Sequence, residues 1–186
     1  MEKYIPPYDI TEEMLELTSE IMENLVRLSN VSDLEKLPRV RRVNRIKSIQ
    51  SSLAIENNTL SLEQVTDVID GRHVLGPQDD ILSVKNAFEV YKMLPKLDPF
   101  SLNDLKKSHG IMMNGLMENA GTFRTGSVGV INERGKVIHI APPHGMVNGL
   151  MEQLFDWLKS SKTQMLIRSS VFHYEFEFIH PFGDGN

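Results

Sequence analysis

The chain has 186 residues, 40% hydrophobic and 24% charged, which is enough for one domain with its own core. A net charge of -5 excludes nucleic-acid binding through overall charge, and the absence of cysteine excludes disulfides and thiolate metal sites. No run approaches the ~18 apolar residues of a membrane span, and Met1-Glu2-Lys3-Tyr4-Ile5-Pro6-Pro7 lacks the apolar core of a secretory signal, so a cytoplasmic protein is expected.

Residues 1–10 read as an extended lead-in fixed by Pro6 and Pro7. Thr11, with Glu12 and Glu13, opens a helix whose Met14, Leu17, Ile21, Leu25 and Leu28 share one face, and Ser29-Asn30 ends it. Residues 31–38 connect. A second helix runs from Arg39 to about Ile55, with Val40, Val43, Ile46, Ile49 and Leu53 as its apolar stripe. Its Arg39, Arg41, Arg42, Arg45 and Lys47 read as a solvated face. The last turn is Ser51-Ser52-Leu53-Ala54-Ile55-Glu56-Asn57-Asn58, where Asn57 or Asn58 suits a left-handed C-cap. Glu56 puts a negative charge at the negative end of the helix dipole, which costs a few tenths of a kcal/mol. Local rules of this kind are broken most often at functional sites, although from the residues alone a plain surface glutamate is the preferred reading.

Thr59-Leu60-Ser61 restarts the chain in a short helix, Leu62 to about Asp70, closed by Gly71, and Gly76-Pro77 turns it. A longer helix, about Asp79 to Leu94, carries Ile81, Val84, Phe88, Tyr91 and Leu94 and ends at Pro95 and Pro99. Ser101 caps the next, which covers Leu102, Leu105, His109, Met112, Met113 and Leu116; its methionines read as core filler and His109 as a packed or surface histidine. Val128-Gly129-Val130-Ile131 and Lys136-Val137-Ile138-His139-Ile140 then flank Asn132-Glu133-Arg134-Gly135 as a β-hairpin. Its edge could take a partner strand, or be an ordinary surface hairpin. His144 opens a helix striped by Val147, Leu150, Leu154 and Leu158 and broken at Ser160-Ser161. The final helix, about Thr163 to Ile179, is apolar on several sides and expected to be central, with His173 buried and hydrogen-bonded. His139 and His144 flank a Pro-Pro pair, but no carboxylate stands at metal-ligand spacing.

That helix runs into His180-Pro181-Phe182-Gly183-Asp184-Gly185-Asn186. Pro181 stops it. His180 could exchange a proton near neutral pH. Asp184 could hold a hard cation, and Gly183 and Gly185 permit backbone shapes that aim N–H groups at an anion. By residue type alone, a capped helix end followed by an ordinary turn fits as well.

The whole string resembles the opening of the Fic-family signature, His-Pro-Phe-x-Asp/Glu-Gly-Asn-Gly-Arg with a second Arg three residues later; six defined positions match. The segments Ala120-Gly121-Thr122-Phe123-Arg124 and Ala141-Pro142-Pro143 on either side of the hairpin also resemble that family. The resemblance implies a mainly α fold, a Fic-type helical bundle with one β-hairpin called the flap. It implies an enzyme that moves AMP from ATP, with Mg2+, onto a Ser, Thr or Tyr hydroxyl of a target protein. His180 would be the base and Asp184 the Mg2+ ligand. Gly183, Gly185 and Asn186 would cradle the nucleotide phosphates, with Phe182 anchoring the loop. Val128, Gly129, Val130, Ile131, Val137, Ile138, His139 and Ile140 would hold the target strand. Ser52-x-x-x-Glu56-Asn57 is similar to the family's inhibitory motif, in which the Glu pairs with the second Arg and obstructs the γ-phosphate.

The implied layout is an N-terminal helical lead-in at 1–38, an inhibitory helix at 39–58 and an incomplete Fic core at 59–186. The signature's last Gly and both Arg lie past Asn186, so the resemblance implies a chain cut within its active-site loop and inactive as it stands. Implied partners are a target docked on the flap, the protein itself as a target, and a second copy. Nucleic acid enters only through a further C-terminal domain. Rival readings are AMP removal, transfer of phosphate or phosphocholine at the same site, a non-catalytic protein-binding module, and a metal hydrolase built on the histidines.

Overall fold

The computed structural model describes residues 4–30, 38–131, 135 and 137–186. In chain order these form α1 (Glu12–Asn30), α2 (Pro38–Ile55), α3 (Leu62–Ile69), α4 (Gln78–Met93), a 3-10 turn (Leu94–Lys96), α5 (Leu102–Met112), β1 (Gly129–Ile131), β2 (Val137–Ile140), α6 (His144–Ser160) and α7 (Met165–Ile179). The fold is mainly α with one antiparallel hairpin, as expected.

Local chemistry sets most boundaries. Ser61 and Gln64 form a reciprocal capping box at the start of α3. α2 ends in a Schellman arrangement: Asn57 is left-handed at φ 65°, its N–H bonds Ala54 O, and the Asn58 N–H reaches back to Leu53 O. α5 stops at Met112 instead of reaching Leu116. The buried Asn86 of α4 donates its amide to Met112 O and Asn114 O at 3.0 and 2.8 Å, which takes the carbonyls a longer helix would need. α7 starts after Gln164, whose Oε1 accepts from the N–H groups of Leu166 and Ile167. Thr163, the predicted start, instead shares a 2.6 Å hydrogen bond with the Tyr8 hydroxyl.

Two apolar clusters make the core. One joins α6 and α7 through Val147, Met151, Leu154, Ile167 and Ile179 and takes in Phe123 and Phe182. The other joins α2, α3 and α4 through Ile46, Ile49, Val65 and Val84. α5 packs on α4 and on α6, and so ties the two together. The N-terminal arm lies along the first cluster: Pro6 is fully buried, Tyr8 meets Trp157 edge-on, and the Tyr4 hydroxyl donates to the buried Glu175 carboxylate.

Some expectations need correction. α1 forms where its pattern places it, with Thr11 Oγ1 capping Met14 N–H, but its stripe is not buried. Met14 packs on the core while Leu17, Ile21, Leu25 and Leu28 stay about half exposed, since the helix meets the core mainly at its first turn. Val40 and Val43 of α2 are likewise exposed. His173 is exposed, not buried: α7 turns Val171, Glu175 and Ile179 inward, and His173 falls off that face. Leu94, the last predicted stripe residue of α4, is exposed in the 3-10 turn that Pro95 imposes. The basic residues of α2 are exposed, as expected, and Arg42 pairs with Asp70. The predicted connection at 31–38 lies outside the described residues up to 37, and Pro38 already opens α2; of the predicted turn at 132–135 only Gly135 is described, at φ 74°. Among the described residues no helix is long and apolar enough to cross a membrane.

Candidate active site

α7 ends at His180, which takes a left-handed conformation, φ 48° and ψ 65°, while its N–H still bonds Phe176 O at 2.8 Å. For a residue with a side chain that conformation costs about 1–3 kcal/mol, and a following proline does not ease it. The carbonyls at this helix end would ordinarily lack partners within the helix. Here the segment around the hairpin supplies donors to four in a row. His139 Nε2 bonds Phe178 O at 2.8 Å. Arg124 Nη2 reaches Ile179 O at 3.2 Å and Arg124 Nε reaches His180 O at 2.7 Å. The Arg124 backbone N–H bonds Pro181 O at 2.9 Å. The same guanidinium donates to Gly126 O at 2.7 Å and Pro142 O at 2.6 Å, on the two sides of the hairpin. Arg124 is 8% exposed, and burial pushes it below the ordinary arginine value.

The His180 ring has its Nδ1 buried without a partner. Nε2 makes no hydrogen bond within the described residues, so it is the nitrogen open to a proton from outside.

The loop after His180 is held from below and from its far end. Phe182 is 1% exposed and stacks on His109 at 3.7 Å and 5°, with Phe123 and Phe176 around it. Both nitrogens of His109 are engaged: Nδ1 accepts from Gly121 N–H at 2.8 Å and Nε2 donates to Asp184 O at 2.9 Å. Those partners require the neutral ring protonated on Nε2. Burial lowers the His109 pKa from its usual value, and the Asp184 carbonyl and carboxylate pull the other way with less effect. Gly121 has φ 82°, and a Cβ there would stand 2.9 Å from Lys106 O, so the close approach to α5 needs glycine. Asn186 closes the loop, its Oδ1 accepting from Phe182 N–H at 2.8 Å. Gly185 sits at φ 67° directly over Met113.

Gly183 and Asp184 are exposed. Asp184 Oδ1 accepts from Gly185 N–H at 2.8 Å, which takes one of the N–H groups expected to face an anion. The N–H groups of Gly183, Asp184 and Asn186 have no partner among the described residues. The Asn186 side chain is spent on the loop itself, so only its backbone faces outward chemistry.

The hairpin pairs Gly129 with Ile140 and Val130 with His139, then slips at Ile138 so that Ile131 opposes Val137. Val128 lies just outside β1, but its carbonyl accepts from Ala141 N–H and continues the ladder. Among the described residues this sheet has two strands and both outer edges are unpaired, with Val137 and Ile140 exposed. Ser52, Glu56 and Asn57 are exposed at the end of α2. No hydrogen bond or ion pair links Glu56 to residues 180–186, and its carboxylate has no partner among the described residues. That helix end is nonetheless fixed. Asn58 Nδ2 donates to Asp80 O and Ser83 Oγ, and Thr59 donates through N–H and hydroxyl to the Asp80 carboxylate. No cluster of three or more His, Cys, Asp or Glu that could hold a metal occurs among the described residues.

Sequence reasoning did not assign roles to Arg124 or His109. The only signal for Arg124 was its place in the Ala120–Arg124 segment. For His109 it was its position on the α5 face shared with Leu105 and Met112.

Comparison with known proteins agrees with this geometry. Residues 99–186 match the Fic/DOC family. The chain is 27% identical over 154 residues to protein adenylyltransferase fic-1 of Caenorhabditis elegans, covering 74% of this chain and 28% of that protein. It is 29% identical over 150 residues to protein adenylyltransferase Fic of Culex quinquefasciatus, covering 74% and 29%. The chain thus spans less than a third of the length of these relatives. A crystal structure of a Fic family protein from Desulfovibrio desulfuricans G20 is similar at 47% identity with a TM-score of 0.93, over 98% of this chain and 56% of that one. A Fic domain containing signaling protein from Bacteroides thetaiotaomicron, at 18% identity and a TM-score of 0.69, shares the fold. Signature, flap and overall architecture therefore agree, and residues 99–186 of this chain form a Fic domain.

Proposed function

We propose that this site transfers AMP from ATP to a hydroxyl of a protein, with His180 as the base. The carrying observation is the arrangement after α7. An accessible imidazole nitrogen on a fixed left-handed turn is followed within a few residues by an exposed carboxylate and three unpartnered N–H groups. The names of the curated relatives support the same reading for a site of this kind.

In this mechanism the N–H groups of Gly183, Asp184 and Asn186 receive phosphate oxygens. His180 Nε2 takes the proton of a Ser, Thr or Tyr hydroxyl. That oxygen bonds to the α-phosphorus as the bond from the α-phosphorus to its bridging oxygen breaks, and pyrophosphate leaves with the electron pair. Positioning and charge stabilisation carry most of such a reaction. Asp184 fits Mg2+, because its carboxylate is exposed and only Oδ1 is engaged; sites for this ion use one or two carboxylates with substrate phosphates. When bound, the ion would neutralise phosphate charge. The unpaired hairpin edges suit an extended target segment. Glu56, unpartnered at a pinned helix end, suits a brake on the site.

The test uses these 186 residues continued through Gly-Arg-x-x-Arg, incubated with Mg2+ and ATP labelled at either the α- or the γ-phosphate. Label from the α position alone, increased by Glu56→Gly, is the expected outcome. Label from the γ position would overturn AMP transfer in favour of phosphate transfer. No label, with ATP binding intact, would move the assignment to AMP removal or to a binding role.

A further inference from the structure

We propose that Arg124, seconded by His139, is the positioning residue of this site: it holds His180 in its left-handed conformation and ties that conformation to the flap. The inference rests on the AMP-transfer reading for its kinetic part only.

The geometry is specific to a guanidinium. One buried side chain donates to four carbonyls that belong to three separate pieces of chain: Ile179 and His180 at the end of α7, Gly126 before the hairpin, and Pro142 after it. Among the described residues no carboxylate pairs with it, and the helix end it caps carries the negative pole of the α7 dipole. A planar fork can satisfy such diverging acceptors at once; an ammonium on a flexible stem cannot. Arg124 also holds Pro181 O through its own N–H, so the bond on either side of the His180–Pro181 peptide is pinned. His139 repeats the contact from β2, with its ring 4.7 Å from Phe178 and its Nε2 on Phe178 O. Four successive carbonyls, Phe178 to Pro181, at and just past the end of α7, are therefore held by the hairpin and its approach segment.

Two consequences follow. His180 keeps a conformation that it would otherwise leave. Because the donors that fix the base sit on the hairpin and in its approach segment, the base and the flap are held as one unit.

The experiment compares Arg124→Gln, Arg124→Lys and His139→Ala with the parent chain. Histidine is labelled with 13C and 15N, and the His180 signals are assigned by their loss in His180→Ala. The parent should give one set of His180 backbone shifts typical of a left-handed residue. Folded Arg124→Gln and Arg124→Lys should both lose that set or give several, while His109 and His173 signals stay in place. His139→Ala changes a surface strand and leaves Arg124 and the core intact, so it keeps the test open should the Arg124 variants fail to fold; it should broaden the His180 signals without shifting His109. In the chain extended through the signature, kcat for AMP transfer should fall about 100-fold in Arg124→Lys with little change in KM for ATP, as misplacement of a reacting group does. Unchanged His180 shifts in a folded Arg124 variant, or in His139→Ala if the others unfold, would overturn the proposal. Altered shifts with no AMP transfer in any chain would retain the positioning role and reject the reaction instead.

Discussion

Phe182→Ala is expected to destabilise the chain by about 3–5 kcal/mol, the cost of emptying a well-packed aromatic site. The ring is 1% exposed and lies against His109, Phe123 and Phe176, so it belongs to the α6–α7 core although it sits in the loop that carries the site. Its backbone N–H and carbonyl both bond the Asn186 side chain. Removing the ring therefore opens a cavity and releases the loop together. For a domain of this size the loss corresponds to a fall in melting temperature of roughly 6–20 °C. Phe182→Leu keeps most of the volume and should cost less than about 1.5 kcal/mol plus the aromatic contact. Thermal and urea unfolding would measure both. A loss below about 1 kcal/mol for the alanine variant would show that the loop is not anchored as described.

The second expectation concerns His109. Leucine there fills similar space but leaves the Gly121 N–H without an acceptor, at about 1–3 kcal/mol, and removes the donor to Asp184 O. It should also change the dependence of stability on pH. The folded pKa of His109 lies below the unfolded imidazole value of about 6.5. Above that value the ring is neutral in both states and the native contacts are fully present. As pH falls below it, the unfolded chain takes the proton first, and stability is lost down through the folded pKa. The physical reason is direct: an imidazolium would point a second N–H at the N–H of Gly121. Urea unfolding between pH 8 and pH 5 should show a loss in the parent that is smaller in His109→Leu. Equal pH profiles for the two would contradict this account of the ring.

What the sequence made legible was local. The left-handed C-cap at Asn57 or Asn58, the restart of the chain in α3 and the stop at Pro181 each follow from residues within a turn or two of one another. The signature from His180 to Asn186 is also local, and its likeness to a known pattern carried the family assignment. What stayed hidden depends on pieces of chain far apart in sequence. Arg124 finds its acceptors more than 50 residues away at Ile179 and His180, and His109 meets Asp184 across 75 residues. No periodicity announces such pairs. α1 fails for the opposite reason: its pattern is strong, but periodicity says which face is apolar and not whether anything covers it. His173 falls off the buried face because α7 is apolar on several sides, so its sequence does not rank the faces. The inward face is the one whose Ile167, Val171, Phe176 and Ile179 pack into the core, and Glu175 on that face finds its partner in the distant Tyr4.

The most direct test of the central claim is a mass balance on the chain carried through the signature, with Glu56→Gly to release the site. Pyrophosphate would be measured alongside the intact mass of the protein product, for the parent base and for His180→Ala. One pyrophosphate for each adenylyl group gained, with a rate about 100- to 10,000-fold lower in His180→Ala, is the result predicted for a base at this position. Adenylyl gain that persists undiminished in His180→Ala, or a mass increase of phosphate with release of ADP, would contradict it.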